Sequence, residues 1–115
     1  MKTPAKKPDP LVGRLRNALN REEVTEQRMF GGVCFMLNGN MVAGTLRGEL
    51  LVRVGKDAND AALKRRHARQ MEMSRPAPGY VIVANAGTER DEDLQAWVDL
   101  AVAHVKTLPP KAKKR

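Results

Sequence analysis

Apolar positions recur along this chain with two different periods. Leu11, Leu15, Ala18 and Leu19 fall at helical spacing on one stripe, while Arg14, Arg16 and Arg21 fall off it. Asp9-Pro10 precedes them as a start signal. An aspartate accepts from an orphan N–H as N-cap, and proline lacks the N–H that the first helical turn would leave unpaired. The pattern predicts a first helix that fades near Asn20. The period then shortens to two. Residues 24–30 read as a strand with interleaved polar positions, interrupted by Gly31 and Gly32. Residues 33–37 form a continuous apolar run, as expected of a strand covered on both faces. Asn38-Gly39 follows, and both central positions of a type I′ hairpin turn need positive φ. Residues 41–46 return as the partner strand, 47–49 turn again, and 50–54 supply another strand.

The second half predicts a return to helix. Gly55 ends the sheet segment, Asp57 is the expected N-cap, and Asp60 is expected in the first turn. Ala58, Ala61, Ala62 and Leu63 make its apolar side; Lys64, Arg65, Arg66, His67, Ala68 and Arg69 make a basic C-terminal end. Met71 and Met73, alternating with Gln70, Glu72 and Ser74, predict a short strand. Pro76 and Pro78-Gly79 predict a break, and residues 80–84 a buried strand closed by Asn85-Ala86-Gly87. The last helix starts around Asp91, where Glu89, Asp91, Glu92 and Asp93 meet the positive dipole end. Leu94, Trp97, Val98, Ala101, Val105 and Leu108 form its apolar face, and Pro109-Pro110 stops it. The order α-β-β-β(-β)-α-β-β-α groups strands between helices. It predicts an α+β fold, an antiparallel sheet packed with helices.

Composition narrows the functions. A chain of 115 residues, 42% apolar, holds one domain and one core, with little volume for a large internal cavity. It has no run of about 18 apolar residues and no apolar stretch behind the N-terminal lysines, so neither a membrane span nor a secretory leader is expected. A single cysteine, Cys34, excludes an internal disulfide and agrees with a cytoplasmic location. The net charge of +8 is carried entirely by the ends: Lys2, Lys6 and Lys7, then Lys106, Lys111, Lys113, Lys114 and Arg115. Residues 9–105 are balanced. Residues 1–8 and 109–115 are expected to be disordered basic tails flanking a domain at 9–108.

Candidate chemistry is sparse. Gly31-Gly32 lacks a following Lys-Ser/Thr and sits between strands, so it reads as a bend or bulge rather than a phosphate loop. Cys34 lies in an apolar run, where a thiolate would be desolvated. His67 and His104 have no companions at ligand spacing, so no metal, cofactor or catalytic residue is expected. Lys64, Arg65, Arg66 and Arg69 are the one basic cluster on the body, with Arg75 nearby. As a helix end they are explained by dipole energetics. As a site, joined by Lys111, Lys113, Lys114 and Arg115, they would contact phosphates or an acidic partner.

The segment Arg28-Met29-Phe30-Gly31-Gly32-Val33, followed by a hairpin and Leu51-Val52-Arg53-Val54-Gly55, resembles the signature region of the TfoX (Sxy) N-terminal domain family. His67-Ala68-Arg69-Gln70-Met71-Glu72-Met73, Arg75-Pro76, Gly79-Tyr80-Val81 and Leu94-Gln95-Ala96-Trp97-Val98 extend the resemblance over about residues 11–108. It implies an antiparallel sheet packed with helices, and no catalytic residues. Met29, Phe30, Gly31, Gly32 and Arg53 are the motif positions, with structural roles expected. Full-length regulators of that family act in transcription of DNA-uptake genes and carry a second helical domain. This chain ends at Arg115 without one, so a single-domain member is expected. The functional expectation is a non-catalytic regulatory module, monomeric or weakly dimeric, that engages a protein partner by its sheet face or edge. The alternative is a nucleic-acid-associated protein that binds phosphates without sequence preference through its tails and the 64–69 cluster.

Overall fold

The computed structural model describes residues 10–29, 31–72 and 74–110. Helix α1 (Pro10–Ala18) leads into four strands: β1 (Val24–Met29), β2 (Gly32–Leu37), β3 (Asn40–Leu46) and β4 (Glu49–Arg53). Helix α2 (Lys56–Leu63), strands β5 (Ala68–Glu72) and β6 (Pro76–Val83), a 3-10 turn (Asn85–Gly87) and helix α3 (Asp91–Val105) complete the chain. The six strands form one antiparallel sheet in the order β1-β2-β3-β4-β6-β5. The α+β order predicted from periodicity is the order observed. Residues 1–8 and 111–115 of the expected tails, the capping role of Asp9, and Phe30 and Met73 lie outside the described residues, whereas Pro109, placed in the expected tail, accepts a hydrogen bond from Asn40 Nδ2 at 3.1 Å.

Turn chemistry builds the meander. Asn38 and Gly39 have φ of 55° and 82°, as a type I′ turn demands. Arg47 and Gly48 repeat that conformation, at 53° and 82°, between β3 and β4. At Gly31 the chain turns between β1 and β2 with φ 75°, while the register shifts of the sheet fall between Phe35 and Met36 in β2 and between Gln70 and Glu72 in β5.

All three helices pack on one face of the sheet. Leu11, Leu15 and Leu19 from the first helical stretch meet Leu94, Trp97, Val98, Ala101 and Val105 of α3. These close over Phe35, Val42, Leu50, Val52, Val81 and Val83. The stripe predicted for the last helix is buried except for Leu108, which is half-buried. Arg14, off the apolar stripe of α1, donates to the Thr88 carbonyl at 2.6 Å and to Asp91 Oδ1 at 3.0 Å. It thereby ties α1 to the start of α3.

Four local expectations are corrected. Among the described residues, the 33–37 strand has a helix layer on one face alone. Asp57 lies within the first turn of α2; the N-cap is Gly55, which makes no side-chain cap bond. The basic run is not a helix end. Helix α2 stops at Leu63, Lys64 is its C-cap, His67 turns the chain with φ 70°, and Arg69 is already in β5. Pro76, Pro78 and Gly79 lie inside β6 rather than before it. Proline is tolerated there because the pairing of β6 with β4 begins only at Tyr80, so the prolines owe no N–H to a β4 neighbour.

Candidate functional site

Strand alternation sends a second set of apolar side chains to the face opposite the helices. One row crosses the whole sheet: Gln27, Cys34, Gly44, Leu51, Ile82 and Arg69 are successive cross-strand partners. Around it lie Met29, Met36, Met41, Leu46, Met71, Ala77 and Tyr80, a cluster separate from the main core. Helices α1, α2 and α3 contribute their apolar residues to the main core and none to this cluster. Cys34 and Leu51 are nonetheless 0% exposed, and Met71 and Ile82 are 4% and 6% exposed. Their cover comes from one another and from the half-buried Met29, Met36, Leu46, Ala77 and Tyr80. Four of the six methionines in the chain sit on this face. Unbranched thioether chains are flexible and fill irregular space.

Gly44 sets the middle of the face. A Cβ there would sit 2.6 Å from the Val33 carbonyl oxygen and 3.0 Å from Cys34 Sγ, so only glycine lets β2 and β3 approach this closely. The margin is polar. The Arg53 guanidinium lies 5.5 Å from the Tyr80 ring centroid, and Arg69 pairs with Glu49 at 2.5 Å. Leu46, Arg47, Arg69, Met71, Glu72 and Ile82 border a depression of about 680 Å³ on the β5 side.

Cys34 is a free, buried thiol on this face. Burial pushes the Cys34 thiol above its ordinary value, and its sulfur is a small apolar filler rather than a nucleophile. Among the described residues, no group of three or more His, Cys, Asp or Glu side chains is arranged to hold a metal ion.

The sequence-predicted site residues are dispersed. Met29 lies at the β1 edge of the open face, Arg53 on its Tyr80 margin, and Gly31 and Gly32 at the β1–β2 turn. Phe30, Lys111, Lys113, Lys114 and Arg115 lie outside the described residues. Lys64, Arg65 and Arg66 do come together, at a cleft shared with His67, Asp93 and Trp97. Arg69 does not join them: it is held on the open face by Glu49. Arg75 is exposed in the turn before β6 and does not line that cleft.

Two features escaped sequence reasoning. Asn59, only 7% exposed, exchanges side-chain hydrogen bonds with Gln70 at 3.0 and 3.1 Å and accepts the Gly79 N–H at 2.8 Å. Gln70 Nε2 also donates to the carbonyls of Ala77 and Tyr80. This network pins α2 to β5 and β6. Arg65 stacks on Trp97, its Cζ 4.2 Å from the ring centroid. Asn59 falls beside the apolar Ala58 and Ala62 on α2, the one hint in the sequence. The Arg65–Trp97 pair joins positions that no local pattern connects.

The family model for the TfoX N-terminal domain matches residues 17–105. No curated protein matches the chain.

Proposed function

This chain belongs to the TfoX N-terminal domain family, and from that membership we propose that it docks a protein partner on its open methionine-rich sheet face. The family is one of regulatory-type domains and is not a known enzyme family. The observation that carries the reading is the asymmetry of the sheet: one face lies under three helices, and the other keeps an apolar cluster to which no helix contributes among the described residues. Apolar surface left without a covering layer favours association, because burying it releases roughly 25 cal/mol per Å². Half-buried Met29, Met36, Leu46 and Tyr80 offer that surface, and Arg53, Arg69 and Glu49 at the margin orient a partner. In this reading the domain works in the cytoplasm, as a monomer or weak dimer, and contributes no catalysis.

Photo-crosslinking tests it. A crosslinker replacing Leu46 or Met36 should trap one protein reproducibly, and the same group at Asp99, exposed on α3, should not. With that protein purified, Leu46→Lys should weaken binding at least tenfold while leaving the melting temperature within a few degrees. Equal trapping from Asp99, or unchanged affinity of Leu46→Lys, contradicts the reading. A crosslink between two copies of this chain would make the occupant a second copy.

The alternative, nucleic-acid contact through the tails and the 64–69 cluster, loses Arg69 to the opposite side of the sheet. A nucleic-acid-binding domain concentrates its basic excess on one structured face, and Arg69 does not add to the cluster of Lys64, Arg65 and Arg66.

A further inference from the structure

The cleft beside the α2–β5 turn is a separate matter from the open face. Lys64, Arg65, Arg66 and His67 line it together with Ala86, Gly87, Asp93 and Trp97; it holds about 530 Å³. Helix-dipole energetics account for little of this grouping. That effect fades beyond the last turn, and only Lys64 is a cap residue. Lys64 and Arg66 make no ion pair among the described residues, although acidic side chains are plentiful on the surface. Three adjacent cations repel one another, and here they gather at one concavity.

The turn that carries the cations is fixed, and one of them is held over a ring. Arg65 N–H donates to the Ala62 carbonyl at 3.0 Å, and the His67 carbonyl accepts from Ala84 N–H at 2.8 Å, so the turn is fixed at both ends. His67 keeps a left-handed conformation at φ 70° that a non-glycine residue rarely adopts. The Arg65 guanidinium lies over the Trp97 ring, while Trp97 itself is only 3% exposed. A stacked guanidinium has already lost much of its rotamer freedom, and its N–H edge remains directed in plane, the geometry that matches two phosphate oxygens.

We propose that this cleft binds a small phosphorylated molecule, with Arg65 forking one phosphate and Lys64 and Arg66 neutralising the rest. Asp93 faces them from α3. A carboxylate repels an anion but accepts a hydrogen bond, so the ligand carries a hydroxyl or amino donor beside its phosphate. A compact ligand fits better than a nucleic-acid backbone, because the cations are confined to one pocket and Arg69 and Arg75 do not extend them into a track.

Calorimetric titration of the full chain with pyrophosphate, with ADP, and with a 12-base-pair duplex DNA tests the proposal. Pyrophosphate and ADP should bind. Lys64→Gln and Arg66→Gln should each weaken both by roughly tenfold, the usual effect of losing one charge-assisted hydrogen bond. Arg65→Lys should lose as much although it keeps its charge, because it loses the planar fork. ADP, which offers hydroxyl and amino donors to Asp93, should bind more tightly than pyrophosphate, and Asp93→Asn should tighten pyrophosphate by removing repulsion and narrow that difference. Lys64 and Arg66 do not stack on Trp97, so their variants separate ligand binding from folding. A combined Lys111→Gln, Lys113→Gln, Lys114→Gln, Arg115→Gln chain should bind as the parent does. Three outcomes overturn the proposal: no binding of either phosphate probe at millimolar concentration, loss of binding in the tail variant instead of the cleft variants, or duplex DNA that outbinds ADP through these same side chains.

Discussion

Phe35 and Met36 are neighbours in β2, yet Phe35 lies under the helix layer, 0% exposed, while Met36 is half-buried on the open face. The two faces of one sheet are built to different rules. The helix side is close-packed from branched and aromatic residues, Leu15, Val52, Val81 and Trp97 among them, drawn from all three helices and the strands. The open side is made of strand residues alone and relies on methionines to fill it. A close-packed interior penalises any change of volume. A layer of flexible side chains without a cover tolerates change and can re-form around a partner. The first face therefore holds the fold together, and the second carries less of that burden.

The largest test of this contrast is a pair of truncations one residue apart. Phe35→Ala should cost about 3–5 kcal/mol in urea unfolding, as large-to-small changes in a closed core do. Met36→Ala should cost only about 1 kcal/mol, since a half-buried side chain has less apolar area to lose. Equal costs would make the open face a second core and end the comparison. Next comes Asn59→Ala, expected at about 1–3 kcal/mol, because it strips the Gly79 N–H and Gln70 of a buried partner. A cost near zero would mean that α2 is held by its apolar side alone.

Cys34 reports on how firmly the open face is closed. Its thiol should react with a disulfide reagent at pH 8 orders of magnitude more slowly than a free thiol in solution, and unfolding should restore the ordinary rate. Fast labelling of the folded protein would show that the methionine layer opens readily. The smallest effect belongs to the exposed pair Arg16–Glu26, at 2.6 Å. Hydrogen bonding from Arg16 holds the Glu26 carboxyl below its ordinary 4.5, opposed by burial and aided by the Arg16 charge. A depressed acid stabilises the fold above its unfolded value and loses that contribution as pH falls through its folded value. Comparing the parent with Glu26→Gln should therefore show a small stability gap at pH 6 that closes below about pH 4.5.

The order of elements was legible because it rests on local signals: the Leu11, Leu15, Leu19 stripe, Asn38-Gly39, and the apolar face of α3. The ends of α2 were misread because the competing signals were local too. Lys64, Arg65 and Arg66 are acceptable at a helix terminus, and only the φ of His67 and the pairing of residues 68–70 with β6 turn the chain into a strand earlier. The strand at 76–79 was misread because a proline's missing N–H matters only where a neighbouring strand waits for it. The open face was half legible. Alternation in 33–37 was masked by an unbroken apolar run, which reads the same whether one face or two lie under helices.

Taken alone, the order of residues determined the α+β class, the hairpin at Asn38-Gly39, the stripe that α3 buries and the concentration of net charge at the two ends. These follow from backbone preferences and periodicity, which act over a few residues. Tertiary structure decided which sheet face the helices cover, that Arg69 parts from Lys64, Arg65 and Arg66, and that Arg65 meets Trp97. Those outcomes depend on which distant segments share space, and the competition to bury apolar area is settled only when the whole chain packs at once.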